Sequence, residues 1–155
     1  MPLLSLEIKK EKTMKRLIQS LLVTLLGVIS FSGQEPSKVV KKDQDSTIKF
    51  EQVISGHLTD LNGNYKLRVT ETIYKPGGFI GEHHHVGPGI RYVASGQLTY
   101  IQPDKTTIYK EGDYFYESGN VTHTAYNKTN APVKILNFEI LPADWKGSSA
   151  VLPIK

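Results

Sequence analysis

From Thr47 to Leu141 the sequence is a succession of short alternating or apolar runs, each cut off by turn-forming residues. The runs read TIKFEQVI, YKLRVTETIY, FIGEHHH, IRYVA, QLTYI, TTIY, DYFY, THTAY and VKILNFEIL. Between them stand Asp60–Asn64, Lys75–Gly78, Ser95-Gly96, Pro103–Lys105, Glu111-Gly112, Ser118–Asn120 and Asn127–Pro132. A period of two marks a strand with one face turned inward, and no stretch after residue 34 holds a 3.6-residue period for the length of a helix. In TIKFEQVI, Ile48, Phe50 and Val53 fall on an apolar face; in YKLRVTETIY, Tyr65, Leu67, Val69 and Glu71 alternate with polar partners. Many short strands at regular spacing predict an all-β sandwich or barrel. Thirteen glycines, eight prolines and eight tyrosines suit strands joined by tight turns, and 155 residues are enough for one domain with a buried core.

The N-terminal third reads differently. Met14-Lys15-Arg16 is followed by the apolar stretch Leu17–Phe31 and then by Ser32-Gly33. That stretch is shorter than the roughly 20 residues a membrane span needs. A basic start, a short apolar middle and small residues at the end make residues 1–33 a secretory leader, with Met14 a candidate true start. Export to the periplasm or the medium is therefore expected, with no membrane contact after cleavage; an uncleaved leader would act as an anchor. Residues 34–46 are polar and read as a flexible lead-in, residues 47–141 as the barrel, and residues 142–155 as a tail packed outside it or extended to a partner. Five of the 19 basic residues and two of the 15 acidic ones lie in residues 1–33, leaving 14 against 13 in the remainder. A body so close to neutral gives no electrostatic reason to expect nucleic-acid binding. With no cysteine, disulfides, thiolate metal sites and cysteine nucleophiles are excluded.

Four of the five histidines fall in two blocks: His83, His84 and His85 in GGFIGEHHHVGPGIRYVASG, and His123 in EGDYFYESGNVTHTAYN. On a strand His83 and His85 project to one side and His84 to the other, so the pair is a two-point chelator. A strand pairing that brings His123 alongside would complete three imidazoles with coordination positions left for water or substrate. Imidazole nitrogens suit one divalent transition metal: Fe, Zn, Ni, Cu, or Mn where oxygen ligands join.

The two blocks resemble the two motifs of the cupin superfamily. The first motif is Gly, five residues, His-x-His, three or four residues, Glu, six residues, Gly; here Gly77, His83, His85 and Gly96 fall at those offsets. The second is Gly, five residues, Pro-x-Gly, two residues, His, three residues, Asn; here Gly112, His123 and Asn127 match, with Ser118 and Asn120 at the Pro and Gly positions. The resemblance covers about residues 47–141 and implies a double-stranded β-helix, a jelly-roll-like barrel with the metal inside. It also implies a small-molecule ligand and a homodimer. Its main departure is the glutamate ligand, which would fall at Gly89. Without it the site is a neutral three-histidine centre that should hold hard Mn less well and leave room for an anionic, chelating substrate. Arg91 shares the strand parity of Gly89 and is the candidate cation for such a substrate. Gln97, Tyr100, Tyr116 and Glu139 are unranked oxygen-bearing candidates, and His57 is isolated. Three-histidine dioxygenases within the superfamily make a metal-dependent oxygenase one expectation; a non-catalytic ligand-binding or sensor cupin is the alternative.

Overall fold

The computed structural model describes residues 38–153. The leader 1–33 and the first part of the lead-in lie outside the described residues. Nine strands follow in order: β1 (Lys41–Val53), β2 (Tyr65–His85), β3 (Gly89–Ser95), β4 (Gln97–Ile101), β5 (Thr106–Lys110), β6 (Tyr114–Glu117), β7 (His123–Tyr126), β8 (Val133–Pro142) and β9 (Ala150–Val151). A 3-10 turn at Thr59–Leu61 is the one helical piece among the described residues.

The long β2 serves two antiparallel layers. Its first half, Tyr65–Tyr74, pairs with β8, which pairs with β3, and β3 pairs with β6. Its second half pairs with β7 between Phe79 and His83, and β7 leads on to β4 and β5. β1 runs along β2 from Val53 opposite Lys66 to Lys41 opposite Ile80, and β9 pairs with His84 and His85. Two layers sharing one strand close into the double-stranded β-helix that the sequence predicts.

Three details differ from the sequence reading. Lys75-Pro76-Gly77-Gly78 does not end a strand; β2 continues through it and changes partner there, from β8 to β7. The four residues bulge opposite Asp43, where β1 also loses register, and Gly77 takes a φ of +76° that favours glycine. Pairing with β2 also makes Lys41–Ser46 part of β1, although their polar composition reads as a lead-in. Finally, the alternation in the first half of β2 is real, but its polar set points inward. Lys66 and Arg68 are each 3% exposed while Leu67 is 46% exposed. Burial is tolerated because the cations have partners. Lys66 Nζ donates to the Trp145 carbonyl at 2.6 Å, Arg68 Nη1 donates to the Gly147 carbonyl at 2.6 Å, and Glu51 pairs with both.

The apolar core lies further along, where Tyr74, Ile80, Val93, Leu98, Ala125, Val133 and Ile135 meet from both layers. Asn127, fully buried, ties the loop after β7 to β2. Its Nδ2 donates to the carbonyls of Tyr74 (3.1 Å), Lys75 (3.1 Å) and Ala131 (2.8 Å), and its Oδ1 accepts from the Thr129 amide at 2.9 Å. That accounts physically for an asparagine at this offset: its side-chain amide offers two N–H donors and a carbonyl acceptor at once. On the outer face, Phe50, Val69, Phe138, Ile90 and Tyr116 stand in one row across five strands. All but the partly buried Val69 are exposed.

Candidate metal centre

His83 and His85 end β2 and His123 begins β7, with His83 and His123 directly opposite in the ladder. The strand pairing postulated from sequence thus brings the three imidazoles together. Their candidate ligand nitrogens lie within 4.8 Å of one another. Ring centroids are 4.2 Å apart for His83 and His123, and 5.0 Å for His83 and His85. His84 points the other way, as parity requires, and Glu82 is exposed.

Each ring is oriented through its Nδ1. His83 Nδ1 lies 2.8 Å from the Gly81 carbonyl and His123 Nδ1 lies 2.9 Å from the Val121 carbonyl, the same bond to the residue two positions back. His85 Nδ1 lies 3.1 Å from Glu139 Oε1. A carbonyl or carboxylate accepts only from N–H, so each contact is a hydrogen bond when the ring carries a proton on Nδ1, the tautomer that leaves Nε2 free to hold a metal. Glu139 is held in turn by Ser149 Oγ, which donates to it at 2.6 Å, and by Arg91 Nη2 at 3.1 Å.

Around Gly89 the wall is built from three strands. Gly89 pairs with Glu117 of β6 on one side and with Glu139 of β8 on the other. Arg91, 2% exposed, folds its guanidinium over the glycine: a Cβ there would collide with Arg91 Nη1 and come within 2.5 Å of the Phe138 carbonyl. The position where the family carries a ligand is therefore space that Arg91 fills. Arg91 Nη2 approaches Glu117 Oε2 at 2.6 Å, an ion-pair contact lacking hydrogen-bond alignment. Glu117 also lies against the histidines, with Oε1 3.1 Å from His123 Nε2 and Oε2 3.3 Å from His85 Nε2.

These neighbours set the protonation states. Burial, then the adjacent His123 and His85, push His83 down to about 3, so it stays neutral at ordinary pH. Burial also lowers His85, although its hydrogen bond to Glu139 opposes the shift. For Glu117 burial acts upward, but Arg91, the His123 hydrogen bond and the charges of His85 and His123 outweigh it and hold the carboxyl well below the usual range. Glu139 is likewise lowered, burial being outweighed by His85, Arg91 and Ser149. Tyr100 stacks on His123 at 4.5 Å, and burial together with Glu117 pushes its phenol up.

The histidines and carboxylates line a cavity of about 310 Å³ that reaches past Arg68 and Asn137 to β1 and the segment Gly147–Ala150. That tail segment, expected outside the barrel or on a partner, forms part of the cavity wall. Among the oxygen-bearing candidates, Glu139 and Tyr100 line the cavity, Tyr116 is 68% exposed on the outside, and Gln97 is not among the lining residues. Sequence reasoning passed over Glu117 and Ser149. Glu117 was findable, since it shares the parity of Phe115 in Tyr114–Glu117 and closes that strand just before the turn leading to His123. A divalent ion fits the donor set. Three imidazoles bring candidate ligand nitrogens together, and Glu117 Oε2 is buried with no aligned donor.

Residues 70–139 match the family model described as Cupin domain. Over those residues the chain is similar to a cupin domain. Solved structures superpose at low identity, and that likeness speaks to the fold alone. The polyketide cyclase RemF from Streptomyces resistomycificus gives a TM-score of 0.53 at 17% identity, covering 74% of this chain and 75% of that one. KdgF from Halomonas sp. gives 0.50 at 16% identity, covering 73% and 93%. No curated protein matches the sequence.

Proposed function

We propose that this chain is an exported cupin that holds one divalent transition metal through His83, His85 and His123 and presents it to a small chelating ligand, as a metal-dependent, dioxygenase-like enzyme. The observation that carries the reading is the convergence of three imidazoles, each fixed through Nδ1, on the wall of a cavity large enough for a small molecule. A bound ion supplies Lewis-acid polarisation or oxygen activation. The chain's own residues do the rest. Glu139 and two backbone carbonyls fix the ring orientations, Tyr100 covers one face of His123, and Arg91 contacts both buried carboxylates.

Elemental analysis of purified protein against His83→Ala and His123→Ala tests the metal site. Both substitutions should abolish stoichiometric metal, and equal metal content in all three proteins would overturn the reading. Oxygen uptake with a panel of β-diketones, flavonols and thiols tests the activity; ligand binding without turnover would make the protein a ligand-binding module instead. Export rests on the pattern of residues 14–33, and N-terminal sequencing of the mature protein tests it. We further propose a homodimer built on the outer apolar row of Phe50, Val69, Phe138, Ile90 and Tyr116. Sedimentation of Phe138→Lys as a monomer, against a wild-type dimer, is the expected result.

A further inference from the structure

We propose that Glu117 is the anionic ligand of the metal centre, delivered from β6 in place of the carboxylate that Gly89 cannot provide. The inference rests on the metal site proposed above and concerns what completes it.

Register gives the first argument. Glu117 is the direct cross-strand neighbour of Gly89, so its side chain enters the barrel beside the point where a ligand is missing from β3. Arg91 lying over Gly89 leaves that approach to a side chain from the adjacent strand.

Lone pairs give the second. With the ring proton on Nδ1, toward the Val121 carbonyl for His123 and toward Glu139 for His85, both Nε2 atoms turn a lone pair toward Glu117. The carboxylate oxygens are acceptors as well, yet they lie only 3.1 and 3.3 Å from those nitrogens. Contacts so close need an electrophile between them: a proton, as in the hydrogen bond His123 makes to Glu117 in the metal-free site, or a metal ion in its place. These separations are also those of neighbouring ligands on one ion: with metal–ligand bonds of about 2.1 Å, adjacent donors stand about 3.0–3.4 Å apart.

Charge gives the third. Glu117 and Glu139, 5% and 2% exposed, face a single guanidinium, that of Arg91 at 2%. One buried negative charge is left over, a costly arrangement that a divalent cation reverses. The two carboxylates have divided the work. Glu139 is committed to His85, Ser149 and Arg91, whereas Glu117 Oε2 has no aligned donor. An anionic oxygen beside three imidazoles makes the site hospitable to Mn(II) and Fe(II), against the expectation for a neutral three-histidine centre.

The test is titration of metal-free protein with Co(II), read by visible absorption, and with Mn(II), read by competition, for wild type, His83→Ala and Glu117→Gln. Wild type should bind one Co(II) and His83→Ala none. Glu117→Gln should bind Co(II) with a changed ligand-field spectrum and lose Mn(II) affinity about 100-fold, at the upper end of what altering a metal's surroundings costs. An unchanged Co(II) spectrum in folded Glu117→Gln overturns the inference, even with some loss of affinity, because the carboxylate then acts from outside the coordination sphere. Should Glu117→Gln fail to fold with Arg91 left to Glu139 alone, the doubly neutral Glu117→Gln/Arg91→Gln replaces it. X-ray absorption on Co(II)-loaded wild type, counting oxygen and nitrogen neighbours with and without chelating anions, decides the same point without a substitution. Folded wild type that binds no Co(II) refutes the three-histidine reading itself, and this inference with it.

Discussion

Replacing Gly89 with alanine adds one methyl group at the most crowded point of the cavity wall. The new Cβ collides with Arg91 Nη1, stands 2.5 Å from the Phe138 carbonyl and 3.2 Å from Glu139 Cγ. The carbonyl belongs to β8, paired with β3 across this position, so it yields only if the ladder widens. The guanidinium yields only by leaving Glu117 and Glu139. Overpacking of this kind costs about 1–3 kcal/mol, and separating a buried ion pair costs about 3–5 kcal/mol. The chain takes the cheaper route or a mixture, giving an expected loss of about 2–4 kcal/mol. At an open strand position the same substitution stabilises by about 0.5–1 kcal/mol. Gly81 is the control, because a Cβ there meets nothing nearer than the Val40 carbonyl at 3.4 Å. Urea unfolding of the metal-free proteins, followed by tryptophan fluorescence, measures both. Gly89→Ala as stable as Gly81→Ala would refute the argument that Arg91 occupies the missing ligand's space. By the same geometry Gly89→Glu does not restore a family-type site; it adds a third buried carboxylate and should destabilise further.

Other expectations follow from the same contacts. Asn127→Ala strips a partner from the buried Tyr74 carbonyl and from the Lys75 and Ala131 carbonyls and should cost about 2–3 kcal/mol, read as a lowered urea midpoint; a loss under 1 kcal/mol would contradict the clamp. Acid should weaken the metal-free protein early. With His83 held to about 3 when folded and near 6.5 when unfolded, the unfolded chain takes up the proton first, so stability falls as pH drops from 6.5 toward 3. That is about 2 kcal/mol by pH 5, to which His85 adds in the same direction, while the lowered Glu117 and Glu139 contribute only below the ordinary carboxylate range. Constant stability between pH 8 and pH 5 would refute this. Ser149→Ala removes the hydroxyl that donates to Glu139 and should cost about 1–2 kcal/mol and about tenfold in Co(II) affinity, measured by denaturation and titration.

The parts of this molecule that sequence made legible are those where parity alone decides. His83 and His85 share a face because a strand alternates, and Arg91 enters the cavity wall because it shares the parity of Gly89. Alternation gives the period of a strand but not which phase is inside. In Tyr65–Tyr74 the apolar phase faces out because Lys66 and Arg68 have Glu51 and the carbonyls of Trp145 and Gly147 to receive them. Those partners are distant in sequence, and no local pattern announces them. Glu117 was hidden for a related reason: its meaning comes from its cross-strand neighbour Gly89. Lys75–Gly78 carries every sign of a strand end, yet the chain uses it to pass β2 from one layer to the other.

The contact of Ser149 and β9 with the histidine strand also bears on when the centre is assembled. Synthesis runs from N to C, so His83, His85 and His123 emerge before the segment that steadies Glu139 and pairs with His84 and His85. A nascent chain thus has all three imidazoles before it has the buttress that orients one of them. Metal captured at that stage meets a looser and less selective set of ligands. In a chain that binds metal as proposed, selection among competing ions would belong to the finished chain, after the tail has docked.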